Sequence, residues 1–168
     1  ICDSRILTIY EGTTAIQAND IVGRKTVKDG GAVAKLVCAQ IAATEKELLA
    51  RGDSQLAQAA QSLATARAEL EAAIDYILEN AKAKTNTKIV YAGAVPYLRL
   101  AGVVLGGWQM ARALMIAQDK MAEDPDFYKA KSITARFYLQ AILPQATAYS
   151  QAVTKPGGVT NEMAPELF

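Results

Sequence analysis

The sequence predicts an all-α fold: a short leading segment and a helix, followed by an antiparallel up-down four-helix bundle. Three observations carry that expectation. The chain is alanine-rich and half apolar, with only 7% aromatic residues, 5 prolines and 11 glycines, a composition that favours helix over a β-sandwich or barrel. Apolar residues recur at three- and four-residue spacing through most of its length. The connections between these periodic stretches are short, which makes successive helices antiparallel neighbours. With 168 residues there is enough chain for one ordinary domain with a real core.

The elements follow in order. Arg5-Ile-Leu-Thr-Ile-Tyr-Glu-Gly-Thr-Thr-Ala-Ile-Gln17 runs through an apolar lead into a single acid, Glu11, set between Tyr10 and Gly12. Thr13 or Thr14 then starts a helix by capping a first-turn amide. Ile16, Asp20 and Ile21 carry it to about Val27, and Asp29-Gly30-Gly31 breaks it. From Ala32 a second helix places Val33, Leu36, Val37, Cys38 and Ile41 on one apolar face, extended by Leu48. Arg51-Gly52-Asp53 is read as a glycine C-cap and the N-cap region of the next helix, not as an integrin-binding tripeptide.

Leu56, Leu63, Leu70 and Ile77 recur every seven residues, with Ala59, Ala60, Ala66, Ala73 and Ile74 between them. That is the seam of a long helix packed closely against antiparallel partners; a free-standing coiled coil is the alternative. Lys84-Thr-Asn-Thr-Lys88 marks a turn. The next helix is expected from about Thr87 to Gln118, carrying Val90, Tyr91, Val95, Leu98, Leu105, Trp108 and Met115. Pro96 predicts a kink or a late start, and Gly102, Gly106 and Gly107 leave room for a neighbouring helix. Asp124 caps a last helix with Pro125 at its first position. Phe127, Ile133, Phe137, Tyr138, Ile142 and Tyr149 lie along it, and Pro144 adds a second kink. Residues 155–168 are expected to be an irregular tail.

Several function classes are excluded or disfavoured. The net charge is +1, so nothing recruits the chain to nucleic acid or anionic membrane by charge. The longest uncharged stretch, Phe137 to Thr154, contains Gln140, Pro144, Gln145, Ser150 and Gln151 and makes a poor membrane span. There is no histidine, which removes Ser-His pairs and histidine metal sites. Cys2 and Cys38 have neither metal nor redox spacing and read as structural thiols of a reduced, cytoplasmic protein. No metal site is expected: Glu45, Glu47, Glu69, Glu71 and Asp75 suit solvated helix surfaces, and no Glu-x-x-His pair accompanies them. Trp108, Tyr97, Phe137 and Tyr138 are expected to be core. The chain starts at Ile1, its first methionine is Met110, and it reads as a fragment of a unit that began upstream.

Glu11 is the residue with functional promise. An acid at a loop-to-helix junction can point into a cleft instead of lying on a helix face. The run Arg-Ile-x-x-Ile-Tyr-Glu-Gly-Thr-x-x-Ile-Gln closely resembles the signature of the acyl-CoA dehydrogenase family. The rest of the chain, from Gly23-Arg-Lys-Thr through Asp29-Gly-Gly and the helices, resembles the additional C-terminal domain of larger bacterial members, a group that includes methylthiopropanoyl-CoA dehydrogenases. By this resemblance residues 1–28 are the end of the family's C-terminal helical domain, 29–154 an additional helical bundle and 155–168 the tail.

The resemblance implies α,β-dehydrogenation of an acyl-CoA thioester. Glu11 matches the base that removes the α-proton, hydride passes to FAD, and electron-transfer flavoprotein is the acceptor. Tyr10 and Gly12 match substrate contacts; Thr13, Thr14, Ala15 and Gln17 match cofactor contacts; Arg5 is taken as structural. The full-length protein is expected to be a homo-oligomer. Most of the flavin site lies upstream of Ile1, so the chain alone is expected to bind no flavin and to be inactive. It is further expected that Ile6, Leu7, Ile9 and Tyr10, without partners, fray or pack on another chain. The competing reading, from a different class, is a helical interaction or oligomerisation module without catalysis.

Overall fold

The structure is a computed structural model and describes residues 12–83, 87–162 and 165–167. All regular elements among them are helical: α1 Thr14–Val22, α2 Ala32–Ala50, α3 Ser54–Ala83, α4 Thr87–Ala92, α5 Ala94–Asp119, α6 Pro125–Phe137, α7 Gln145–Thr154 and α8 Val159–Glu162. A π-helical turn, Gly23–Val27, continues α1, and another, Tyr138–Ile142, continues α6. A 3₁₀ turn closes the described chain at Pro165–Leu167, so the expected irregular tail holds two short helical turns.

The seven-residue seam is at the centre. Leu56, Leu63 and Ala73 are fully buried, and Leu70, Ile77, Ala66 and Ile74 are nearly so. With this face α3 packs against α2, α5 and α7. The turn into it is as expected. Gly52 takes the left-handed conformation at φ 68°, and Asp53 Oδ1 accepts from the amides of Gln55 at 2.8 Å and Leu56 at 2.9 Å. The helix after the Lys84–Lys88 region breaks at Gly93, and Pro96 falls in the first turn of α5, where its missing N–H costs nothing. The late start, not the kink, is what Pro96 produces.

Helix α5 is long and apolar enough to cross a membrane by length and composition. Here it packs against α1, α3, α6 and α7, burying Tyr97, Leu100, Val104, Ala111 and Leu114. With neighbours on so many sides its apolar residues show no single face. Tyr91 and Leu105, expected inside, are exposed. The glycines differ in role. A Cβ on Gly107 would lie 2.6 Å from Leu143 Cδ1, and one on Gly93 would lie 2.9 Å from Val153 Cα, whereas one on Gly102 would meet nothing within 4 Å. Close approach therefore uses Gly107 and Gly93, not Gly102.

Asp124 caps α6, accepting from the Phe127 amide at 3.2 Å with Pro125 at the first helical position. The π turn precedes Pro144: Leu143 N donates to Tyr138 O at 2.9 Å, a five-residue step that widens the helix ahead of the proline ring. The inner face from here on is Ala135, Leu139, Leu143, Ala146 and Val153. Phe127, Ile133 and Phe137 point outward; within α6 the buried residue is Ala135, so the large side chains expected in the core are left outside. In α2 the expected face holds at Cys38, Ile41 and Leu48 and fails at its start. Val33 is 60% and Leu36 59% exposed, while Cys38, Ile41, Thr44, Glu45 and Leu48 form the buried face.

Candidate functional site

The site predicted from sequence begins at the entry to α1. Arg5, Tyr10 and Glu11 lie outside the described residues. Gly12, the next residue, has φ 133°, a conformation that only glycine adopts without strain. Nothing stands within 4 Å of where its Cβ would be, so the requirement is conformational: the chain turns sharply between the acid and the helix. Thr13 is the N-cap residue by backbone position, and its carbonyl accepts from Gln17 N at 2.9 Å. Its hydroxyl makes no cap bond, so the expected side-chain cap at this residue is not formed. Gly12, Thr13, Ala15 and Gln17 are exposed, and Thr14 is half-buried. The structure thus brings these five positions together on one turn, on the outside of the bundle.

The rest of α1 fixes that turn in place. Ala18 and Val22 are fully buried, and α1 packs along α5. At its π-helical end Thr26 Oγ1 donates to Ile21 O at 2.9 Å. With that proton committed, Tyr97 donates its O–H to Thr26 Oγ1, 3.1 Å away. Both hydroxyls are buried, and burial raises the Tyr97 pKa, keeping the phenol neutral. This contact joins residues 71 apart in sequence, and no local pattern announces it.

The acids expected to be solvated divide. Asp75 pairs with Lys35 at 2.9 Å, on the surface. Glu45 is buried at 7% exposure and takes two bonds from Arg67, at 2.8 and 3.1 Å. Arg67 also donates to Glu71 at 2.8 Å. Reading each helix alone misses this, because the cation that permits Glu45 to be buried comes from α3. Of the aromatics, Tyr97 is core, Phe137 is 62% exposed, and Trp108 donates from Nε1 to Thr44 Oγ1 at 2.7 Å. Cys38 is a free, buried thiol. No three acids or thiols converge to hold a metal ion among the described residues.

Comparison with known proteins gives a consistent answer. The family described as "Acetyl-CoA dehydrogenase C-terminal like" matches residues 37–164. A 3-methylmercaptopropionyl-CoA dehydrogenase of Ruegeria pomeroyi is 43% identical over 157 residues, covering 92% of this chain and 26% of that protein. A broad-specificity linear acyl-CoA dehydrogenase of Mycobacterium tuberculosis is 28% identical, covering 91% of this chain and 26% of that protein. A butyryl-CoA dehydrogenase of Syntrophomonas wolfei is 30% identical, covering 99% and 27%. The chain spans about a quarter of the length of the curated relatives it matches. The family match over most of the chain, and the 43% identity to an enzyme of the same kind, show that this chain belongs to the acyl-CoA dehydrogenase family.

Proposed function

We propose that the chain is the C-terminal part of a flavin-dependent acyl-CoA dehydrogenase that oxidises an acyl-CoA thioester to its α,β-unsaturated product. The observation that carries this reading is a family sequence whose Glu11 is followed by a glycine at φ 133° and a helix start. In this reading Glu11 removes the α-proton. A carboxylate shielded from water is a stronger base, since burial disfavours its charged form. Gly12 lets the backbone turn close to the substrate carbonyl, where an N–H stabilises developing enolate charge, and Tyr10 lines the acyl pocket.

The described residues fit a contact with FAD: a helix N-terminal turn, without a side-chain cap from Thr13, that exposes Thr13, Ala15 and Gln17. Such a turn suits a polar cofactor edge. FAD, when bound, accepts the β-hydrogen as hydride. Thr13, Thr14, Ala15 and Gln17 would hold the cofactor's edge. Residues 1–28 complete the catalytic domain and 29–154 form an appended bundle, with α1 tied to the bundle through Ala18, Val22 and Thr26. Electron-transfer flavoprotein receives the electrons, and the whole protein is a homo-oligomer. The chain alone is inactive and binds no flavin.

Replacing Glu11 by Gln in the longer protein tests this. Removing a general base costs roughly 10²–10⁴-fold in rate; turnover should fall by that factor with flavin content unchanged. Near-normal activity would favour the non-catalytic helical module instead.

A further inference from the structure

An apolar cavity of about 140 Å³ opens between α1, α2, α3 and α5, away from the turn at Gly12. Its floor is buried Leu70, Ile74, Tyr97 and Ala101, and Val37 forms a wall. Small residues, Ala34 on α2 and Ala101 on α5, line it and leave its space unfilled. The exposed apolar side chains of Val33 and Leu105 continue the lining outward to the surface.

Three polar groups touch it: Thr26, Tyr97 and Lys25. The first two have spent their protons, Thr26 on Ile21 O and Tyr97 on Thr26 Oγ1. The floor therefore offers no hydroxyl donor to a polar ligand and accepts an apolar one. Lys25 is at the rim, exposed, and no ion pair with another described side chain engages it. The neighbouring cation, Arg24, is paired with Asp20 at 3.0 Å. The cavity is thus apolar within and positive at its edge.

We propose that this cavity binds the chain end of a single-chain carboxylate amphiphile, tail inward and carboxylate on Lys25. An apolar cavity of roughly 150 Å³ accepts a six-carbon ring, so the tail's last half-dozen carbons fill this one. The rest of the tail lies along Val33 and Leu105. Burial of one methylene strengthens binding about fourfold. Hexanoate, octanoate and decanoate should therefore bind with stepwise rising affinity, falling short of that factor once the cavity is full.

The test is calorimetric titration of the chain with these three carboxylates and with decyltrimethylammonium, alongside methyl NMR. Decanoate should shift the methyls of Val37, Leu70 and Ile74. Lys25→Glu should weaken decanoate at least tenfold without weakening decyltrimethylammonium. Ala101→Phe should abolish both; if that variant does not fold, Ala34→Phe on the half-buried wall does the same job. No saturable binding, methyl shifts confined to other helices, or decanoate affinity unchanged in Lys25→Glu would each overturn the proposal. If only an apolar side chain of another protein occupies the cavity, the first of these is the outcome.

Discussion

Arg67 holds two carboxylates at once, and one of them, Glu45, is cut off from water. Arg67→Ala strands that buried charge. The expected cost is about 3 kcal/mol, read as a lower urea midpoint with the slope unchanged. Arg67→Met with Glu45→Leu should recover most of it, because an apolar pair needs no partner. Cys38 makes a separate prediction. Burial, reinforced by the negative charge of Glu71, pushes its thiol from 9.0 up to about 11. The folded state then keeps a proton that the unfolded state loses, so stability is full below pH 9 and declines as pH rises toward 11. In Cys38→Ala the alkaline slope of stability against pH should be shallower. Asp53 acts at the other end. The Leu56 amide, then Gln118, holds its carboxyl below the usual range, so its contribution is present at neutral pH and is lost on acidification; Asp53→Asn, which keeps a cap, should reduce the acid sensitivity of unfolding. Local chemistry of this kind was readable at Asp53 and Asp124, where a cap is a matter of a few adjacent residues. It was unreadable at Glu45 and at Thr26, whose partners Arg67 and Tyr97 arrive from distant helices.

Among the elements, α3 was the most legible because its seam repeats without interruption and all of it is buried. Leu63 is fully enclosed, and Leu63→Ala should cost roughly 2–5 kcal/mol in a denaturation experiment. Helices α2 and α6 were misread in different degrees: in α2 Val33 and Leu36 face out, beside buried Cys38, Ile41 and Leu48, whereas α6 turns Phe127, Ile133 and Phe137 outward and buries Ala135. Size alone suggested the buried face, but a closely packed bundle selects small residues at its tightest contacts. Gly93, at the N-cap of α5, and Gly102 within it test that logic. Gly93→Ala places a Cβ 2.9 Å from the backbone of Val153 and within 3.2 Å of its side chain, so α7 must retreat; a loss of about 1–3 kcal/mol is expected. Gly102→Ala meets no atom within 4 Å and should instead gain about 0.4–1 kcal/mol by restricting the unfolded chain. Similar effects from the two would contradict the packing described. Pro96 and Pro144 show how a single residue type resolves differently: one begins a helix, the other follows a π turn that makes space for it.

At the scale of the whole molecule, the all-α class followed from composition and period, since no element needs a distant strand to form. Helix α1 packs onto α5, and it carries the turn with Gly12 and Thr13 on its free end. The candidate site was legible as a motif and not as a geometry, because the chemistry proposed for it needs groups beyond this chain. With no histidine in the sequence, no side chain has its ordinary titration between pH 5 and 8, so stability should be level there and change only outside that range. The central claim is that Glu11 is the base, and exchange at the reacting carbon reports on it directly. In the full-length protein with flavin bound, deuterium at the α-carbon of an acyl-CoA should wash out into water, and Glu11→Gln should stop the exchange while keeping the flavin. Exchange persisting at the original rate in Glu11→Gln would contradict the account.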